Sequence, residues 1–583
     1  MNEKLLEPLK YYESEGRDTH LRYANEHFDA LLEKSGVDVN ANRATVKEYN
    51  SENDKVNKTK ARVTKFKTLR VLLIIAIVIG AICFLAGVTQ LTSSVGLGIG
   101  LMAGGAVAIG LSIFGIVKIN PRIKEINKIL DIHLAKASEL LAKAQEQMAP
   151  LNALFDERDT IDLIERTIPE LDFEERYTKE QEELLNKHYD FIDLESDDCS
   201  MVNVMSGKFE GNPFLFCQAL MHELKSETYH GSLVISWTET YRDSNGKIRT
   251  RRRTQTLHAS VTKPKPYYHL NNYLGYGSQA ASELTFSRSP QISASMDEKD
   301  IEKKIKKGEK KLKKKAERSL ESGGTFQEMA NSEFDVLFGA SNRNNEVQFR
   351  LMYTPLAQKN TVSLIKSKVG YGDDFYFTKH KRFNIITSNH AQRWNMSTSP
   401  TNYYSYDVDI AREKFLSFNK EYFKSVFFDF APLFCVPAYL EEPCASLDKP
   451  EEYESYYPYY EHEAVANAMD RSVFIPEGAI SDAILKTQFI KKTDSSDLVS
   501  VTALTYYTAQ RVDIIPVLGG DGRMHGVPVH WTEYIPTSKT SSILVSSANM
   551  TRKEYKNKLK ADEGLLGSAL LHGIIAKKYQ EEH

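Results

Sequence analysis

Residues 70–118 read RVLLIIAIVIGAICFLAGVTQLTSSVGLGIGLMAGGAVAIGLSIFGIVK, and no charged side chain interrupts the run between Arg70 and Lys118. A helix needs about 20 apolar residues to cross a hydrocarbon layer of roughly 30 Å, so the run is far longer than one span requires. Soluble helices rarely stay free of charge over so many turns, which counts against a hairpin buried in a water-soluble core. Two spans fit if a turn lies midway, and Thr89-Gln90-Leu91-Thr92-Ser93-Ser94 is the polar cluster that supplies it. The sequence therefore predicts one helix over Leu69–Val88 and a second over Val95–Val117.

The flanks orient this hairpin. Lys55, Lys58, Lys60, Arg62, Lys65, Lys67 and Arg70 precede the first helix, and Lys118, Arg122, Lys124 and Lys128 follow the second. By the positive-inside rule both flanks stay in the cytoplasm, so the expectation is a multi-pass protein of the inner or plasma membrane with both termini cytoplasmic. Neither span carries an ionisable residue that would mark a polar pathway. In the second span Gly96, Gly100 and Gly104 recur every four residues on one face as two overlapping G-x-x-x-G motifs, the candidate helix-packing residues. The favoured expectation is that this face meets Gly80 and Gly87 of the first span; the alternative is that it joins neighbouring copies.

Outside the run the chain is ordinary. Its 583 residues are 41% hydrophobic and 26% charged with a formal net charge of -3, a composition that expects several soluble units of roughly 100–200 residues. Cys83, Cys199, Cys217, Cys435 and Cys444 are scattered, with no C-x-x-C pair, which argues against a disulfide framework and suits a reducing compartment. The charged opening MNEKLLEPLKYYESEGRD reads as no cleavable signal peptide.

The fold class expected is α+β: a two-helix transmembrane hairpin, a helical or coiled-coil stalk, and a mixed α/β cytoplasmic region. Its parts are an N-terminal cytoplasmic helical arm over 1–68, the hairpin over 69–118, the stalk over 119–195, a mixed α/β domain over 196–435 and a C-terminal α/β extension over 436–583. Ile126, Leu130, Leu134, Ala137, Leu141, Ala144, Met148 and Leu151 form one apolar stripe for the stalk, and Gly36–Asn40 breaks the arm. LFCQALMHELKSE reads as a short helix, whereas GSLVISWTETY and RRRTQTLHASVTK flank Asn245-Gly246 as a β-hairpin. SEFDVLFGASNRNNEVQFRLMYTPLAQ has strand-loop-strand character, FYFTKHKRFNIITSN reads as another strand or a hairpin, and EGLLGSALLHGIIAKKYQ reads as a helix that lies on the membrane surface or caps the domain, docking on the domain being the favoured reading.

Four short motifs carry a resemblance: Ser206-Gly207-Lys208, Tyr229-His230-Gly231-Ser232-Leu233, Glu333-Phe334-x-Val336 and Arg350-x-x-x-Thr354-Pro355. Over about residues 60–390 the chain resembles an uncharacterised bacterial membrane-protein family, a domain of unknown function with two transmembrane helices ahead of a cytoplasmic α/β domain. Asn344-Asn345 stands where that family tends to have an aspartate, and Tyr229-His230 replaces its usual phenylalanine context. The resemblance implies an architecture and no catalytic residues.

A basic helix is expected over 298–320, with Lys303, Lys304, Lys306, Lys307, Lys310, Lys311, Lys313, Lys314 and Lys315 as candidate contacts for a polyanion or lipid. Glu298, Glu302, Glu309 and Glu317 interrupt it, so a solvated helix is the favoured reading, anionic lipid the next and nucleic acid the least favoured. Catalytic and metal motifs are weak. His222-Glu223 lacks a second histidine four positions on, Glu461-His462-Glu463 is a candidate metal-ligating set whose pattern is also ordinary on a surface, and Gly519-Gly520-Asp521-Gly522 reads as a hairpin turn. His525, His530 and Trp531 on the returning strand pack or face solvent. No cofactor, metal or catalytic residue is expected. The expected function is a non-enzymatic, membrane-anchored scaffold that binds a protein partner or itself; the alternative is an oligomeric, channel-like membrane effector.

Overall fold

The computed structural model describes residues 3–90, 95–242, 244, 246–292, 296–324, 326–393, 396–440, 453–547, 568–571 and 573–579. In chain order its helices are α1 (Pro8–Tyr11), α2 (Arg17–Ser35), α3 (Val39–Gln90), α4 (Val95–Asn152), α5 (Asp159–Thr167) and α6 (Lys179–His188). Then come α7 (Glu298–Glu321), α8 (Ser332–Phe338), α9 (Glu346–Met352), α10 (Pro355–Lys366), α11 (Val408–Phe434) and α12 (Tyr459–Ala468). The strands are β1 (Leu171–Phe173), β2 (Cys199–Phe209), β3 (Asn212–Arg242), β4 (Ile248–Gly277), β5 (Thr285–Arg288), β6 (Phe375–His380) and β7 (Phe383–Ser388). A second set comprises β8 (Ile484–Lys492), β9 (Ser496–Leu518), β10 (Met524–Ser547), β11 (Ser568–Leu571) and β12 (Ile574–Lys578). The chain is α+β and divides into a helical unit, Ala24–Asp159 with Ser399–Asn419, and an α+β unit holding the remainder. Residues 91–94 of the expected turn, and Asn245, lie outside the described residues.

In the helical unit α3 and α4 pack antiparallel. Gly80 lies against Gly105, Gly87 against Gly98 and Met102, and Gly115 against Leu73. Far along the pair, the His133 imidazole bonds the Glu52 carboxylate, which also takes Lys55 at 3.0 Å. The buried positions Gly98, Gly105, Ser112 and Ile119 fall seven apart, as do Val56 and Val63, and Gly80 and Gly87. A repeat of seven keeps one seam facing the partner helix, because two turns of slightly tightened helix consume it. Glycine in that seam removes the side chain that would hold the backbones apart. A Cβ on Gly105 would stand 2.6 Å from the Gly80 carbonyl oxygen, and one on Gly87 2.8 Å from that of Gly98.

The face expected to pack is a different one. A Cβ added at Gly96, Gly100 or Gly104 meets nothing within 4 Å, so that row points away from the partner helix. The four-residue spacing is conspicuous in the sequence, but the seam follows the seven-residue one.

At the other end of this unit, Phe28 packs on Phe155 and Phe415. Arg43 bonds Asp409 at 2.7 Å, and Asn42 donates to the Tyr406 carbonyl at 3.0 Å. The helical arm breaks between Ser35 and Val39 as expected, with Gly36 in the left-handed region at φ 66°. The helix expected to form the stalk does not run to 195. It ends with α4 at Asn152, and residues from Thr160 belong to the α+β unit, where β1 pairs with β2.

Among the described residues the α+β unit holds a seven-stranded sheet in the order β1-β2-β3-β4-β7-β6-β5 and a five-stranded sheet in the order β11-β12-β10-β9-β8. One core gathers Leu215, Cys217, Ala219, Tyr177 and Tyr460. Phe214 stacks edge-on against Phe430 of α11, and Phe209 lies 5.1 Å from Phe434. Consecutive residues Phe214–Leu220 are buried on both faces, and this is why LFCQALMHELKSE is strand and not the helix its composition favours. Residues 332–366 depart in the opposite sense and form α8, α9 and α10 instead of strands. Their N-caps are visible: Asn331 accepts from Phe334 N at 3.1 Å, Asn345 from Gln348 N at 3.0 Å, and Thr354 precedes Pro355 at the first helical position.

The five-stranded sheet buries Val499, Val501, Ile543 and Ile574 beside Val465 and Ala466 of α12. The C-terminal stretch expected as a helix is, in its described part, the β11–β12 pair; burial of Ile574 and Ala576 draws it into this sheet. Helix α12 contributes Val465 and Ala466 to this core and Tyr460 and Ala464 to that of the first sheet, and 436–583 falls in one unit with that sheet instead of forming a separate extension.

Two ribbons extend beyond the sheets. The β3–β4 pairing runs unbroken from Phe214–Tyr276 to Arg242–Ile248, and strands of 31 and 30 residues at about 3.3 Å each reach roughly 100 Å. An isolated two-stranded ribbon is marginal in water. Here β9–β10 lies against it, burying Ile235, Leu257 and Val527, with Lys263 2.8 Å from Asp513 and over the Trp531 ring. Gly231 permits the closest approach, since a Cβ there would stand 2.2 Å from the Pro528 oxygen.

The seam generates a paired prediction. Gly105→Ala should lower the unfolding midpoint of the detergent-solubilised protein, at a cost of about 1–3 kcal/mol, whereas Gly104→Ala should leave it unchanged. Equal midpoints for the two variants in a thermal scan would contradict the seam.

Candidate functional site

Both α3 and α4 are long and apolar enough to cross a membrane. Their outward side chains are exposed: Leu72 at 57%, Leu85 at 65% and Leu111 at 67%. Gly96, Gly100 and Gly104 lie on the open side of α4, and the pairing glycines are Gly80, Gly87, Gly98 and Gly105. The detectable signal for the latter was the seven-residue interval shared by both helices.

The lysine-rich segment is helix α7, capped by Asp297, which accepts from Asp300 N at 2.8 Å. One side is held: Ile301 is buried, Gly308 faces Val336, and Glu309 accepts from Ser332 at 2.6 Å. Lys304 bonds the Gln291 carbonyl, Lys303 pairs with Asp300 at 3.1 Å, and Lys315 sits 3.9 Å from the Phe326 ring centre. Lys306, Lys307, Lys310, Lys311, Lys313 and Lys314 are exposed along the remainder. A second basic run went unnoticed in the sequence: Arg249, Arg251, Arg252 and Arg253 are exposed on β4, where Arg251 and Arg253 both grip Glu239.

The histidines and carboxylates separate into structural pairs. His222 and His230 stand eight residues apart on strand β3, too far for one metal, and Glu223 pairs with Lys225 at 2.7 Å. Glu461, His462 and Glu463 are buried on α12 and are not the surface pattern expected. Glu461 accepts from Tyr177 N at 2.9 Å, His462 lies 3.1 Å from Asp497, and Glu463 takes Met201 N at 2.8 Å and Lys486 at 2.6 Å. Burial pushes the Glu463 carboxyl up to about 7. Although burial also raises Asp497, hydrogen bonds from His462 and Ser455 hold it below the ordinary carboxylate range. The three side chains diverge, and no group of three such ligands converges among the described residues.

Gly519–Gly522 is the β9–β10 turn, with Gly522 at φ 76° and Gly520 N donating to Gln255 at 2.7 Å. His525 pairs with Asp521 at 3.0 Å, and Trp531 donates to Asp513 at 2.9 Å.

Some buried charges had no sequence signature at all. Arg288 bonds Asp373 with both side chains fully buried. His390 stacks on Tyr371 at 3.7 Å and lies between Asp374 at 2.7 Å and Asp429 at 3.6 Å. Lys379 on β6 is fully buried, with its ammonium on the Lys381 carbonyl at 2.6 Å, and burial pulls its pKa down to about 7.

No protein-family model matches this chain, and neither a curated protein nor a solved structure proves similar to it.

Lys379 sets a measurable pH dependence. Its folded pKa of about 7 lies below the ordinary lysine value, so between pH 7 and roughly 10.5 the unfolded chain binds more protons. The cost of burying Lys379 is therefore complete below pH 7 and fades as pH rises through that window. Lys379→Met should stabilise the protein by roughly 1–4 kcal/mol at neutral pH. The gain should shrink in thermal scans run at rising pH, and a gain independent of pH would refute this origin.

Proposed function

We propose that this chain is a membrane-anchored scaffold, with α3 and α4 crossing a bilayer as a hairpin and both termini in the cytoplasm. The observation that carries the proposal is the two-sidedness of the helix pair. Its inner seam is closed by glycine, while residues such as Leu72, Leu85 and Leu111 stand exposed on the outside. Water strongly disfavours so much exposed aliphatic surface, and lipid tails accept it. The lysine and arginine flanks, uninterrupted by acids near Arg70 and Lys118, support the cytoplasmic orientation. The coiled-coil stalk belongs to the same proposal: beyond the spans, the seam continues through Val63, Val56, Ile123 and Ala137.

The α+β unit serves as the partner-binding module. The paired ribbons offer Val512, Ile514, Leu518 and Met524 as exposed apolar side chains and Arg249–Arg253 as exposed charge. The exposed lysines of α7 suit anionic lipid headgroups or an acidic protein surface. Buried histidines and carboxylates already paired for structure favour binding over catalysis.

Alkaline carbonate washing of membranes should leave the chain in the pellet. In the same cells, a membrane-impermeant maleimide should modify Lys311→Cys only after permeabilisation. Release by carbonate would remove the anchor, and labelling of intact cells would reverse the orientation.

A second reading draws on the open row of Gly96, Gly100 and Gly104, whose four-residue spacing suits association of hairpins from several copies. On that reading the wild-type protein in mild detergent has the mass of a multimer by light scattering, and Gly100→Ile reduces it to one chain. A single-chain mass for the wild type would count against it.

A further inference from the structure

A cleft of about 350 Å³ opens in the α+β unit between the β3–β4 ribbon and the second sheet. Asp197, Asp198, His222, Tyr268, Tyr506 and Ser538 are among its walls, and no lysine or arginine lines it. At its centre His222 places Nδ1 2.8 Å from an Asp198 oxygen and Nε2 3.1 Å from the Tyr506 hydroxyl. The rings of Tyr268 and Tyr506 stand 5.1 Å and 5.6 Å from the imidazole.

Hydrogen-bond direction follows from the donor inventory. A carboxylate only accepts, so Nδ1 carries a proton toward Asp198; in the Nδ1–H tautomer Nε2 accepts the proton of the Tyr506 hydroxyl. Thr505 likewise spends its hydroxyl proton on the Asp482 carbonyl, at 2.7 Å. What the cleft presents to a guest is mainly acceptor character, in the Tyr506 oxygen lone pairs, the Asp197 and Asp198 carboxylates and the faces of the aromatic rings, beside the Tyr268 hydroxyl, which is buried without a partner and can donate or accept. Burial pushes the Tyr268 phenol well above its ordinary pKa, so that ring stays neutral. Electron-rich faces beside carboxylates, with no lysine or arginine in the lining and the nearby Arg471 paired to Asp482 at 3.7 Å, match a ligand that is all donors and positively charged.

We propose that this cleft binds a protonated aliphatic amine, whose ammonium donates to Tyr506 and Asp198 while its methylenes lie on Tyr268. The ammonium can come from a lysine side chain of a partner or from a free polyamine. The proposal does not depend on how the helix pair meets a membrane.

Titration calorimetry of the full-length protein in a non-ionic detergent tests it with three probes: spermidine, Nα-acetyl-lysine amide and the uncharged Nα-acetyl-norleucine amide. At least one amine should bind saturably and the norleucine compound should not. Tighter spermidine binding assigns the site to a free polyamine; tighter lysine-amide binding assigns it to a protein side chain. Asp198→Asn and Tyr506→Phe should each weaken the amine by roughly tenfold, the loss expected for one charge-assisted bond. Asp198 is largely exposed, with 66% of its side chain accessible, so Asp198→Asn provides a variant whose folding is not at issue. Absence of saturable amine binding by the wild type, or unchanged affinity in both variants, would overturn the proposal.

Discussion

Between Gly80 and Gly105 the two long helices run so close that a single methyl group would strike a carbonyl oxygen. That approach organises the helical unit. With glycine on both sides of the seam, the backbones meet directly; Leu73, Phe84, Met102 and Ile109 flank the glycines, while side chains such as Leu72, Leu85 and Leu111 are turned outward. The same seven-residue interval continues past the uncharged stretch, where valine, isoleucine and alanine replace glycine and His133 with Glu52 adds a polar pair. The change of residue size along one seam suits the proposed passage of the helix pair from lipid into water. Lipid offers helices no hydrophobic gain on association and rewards close packing, whereas water rewards buried aliphatic area.

The α+β unit rests on burial from two sides. Strand β3 enters its sheet as an unbroken buried run, apolar but for Gln218, which bonds Asn272, because α11 aromatics cover one face and α12 with α6 covers the other. Farther along, the same strand leaves the sheet, becomes half of a ribbon and alternates exposed and covered residues, the cover now being β9–β10. One strand thus shows both burial patterns, and the switch falls near His222. There the ribbon separates from the sheet core, and the space between them is the cleft that holds Tyr268 and Tyr506. The buried ionic groups are braces: Arg288 with Asp373 and Lys486 with Glu463 each tie a loop or helix to a strand, and Arg343 with Asp335 and Glu346 ties α8 to α9.

Local signals were legible where one short-range interaction dominates. The break at Gly36, the β6–β7 hairpin and the Gly519–Gly522 turn follow from backbone freedom and alternation alone. The caps at Asn331, Asn345 and Thr354 were equally local, yet the aromatic residues around them read as strand and hid the helices α8 to α10. LFCQALMHELKSE and the C-terminal GSALLHGIIAKK mislead for another reason. Their helix-forming composition is outweighed by the sheet edges and cores that receive them, and these lie far away in the chain.

By itself, then, the sequence determined that residues 70–118 form two apolar helices with basic flanks, because the absence of charge and the span length are additive properties of neighbouring residues. It also determined that α7 presents a lysine-rich face, since helical period and charge are both local. Which glycines touch was decided only by the tertiary structure, because a seam depends on the phase of one helix relative to another. The same holds for His222: its pairing with Asp198 and Tyr506 spans intervals of 24 and 284 residues, and only the folded sheets bring such positions within hydrogen-bond reach.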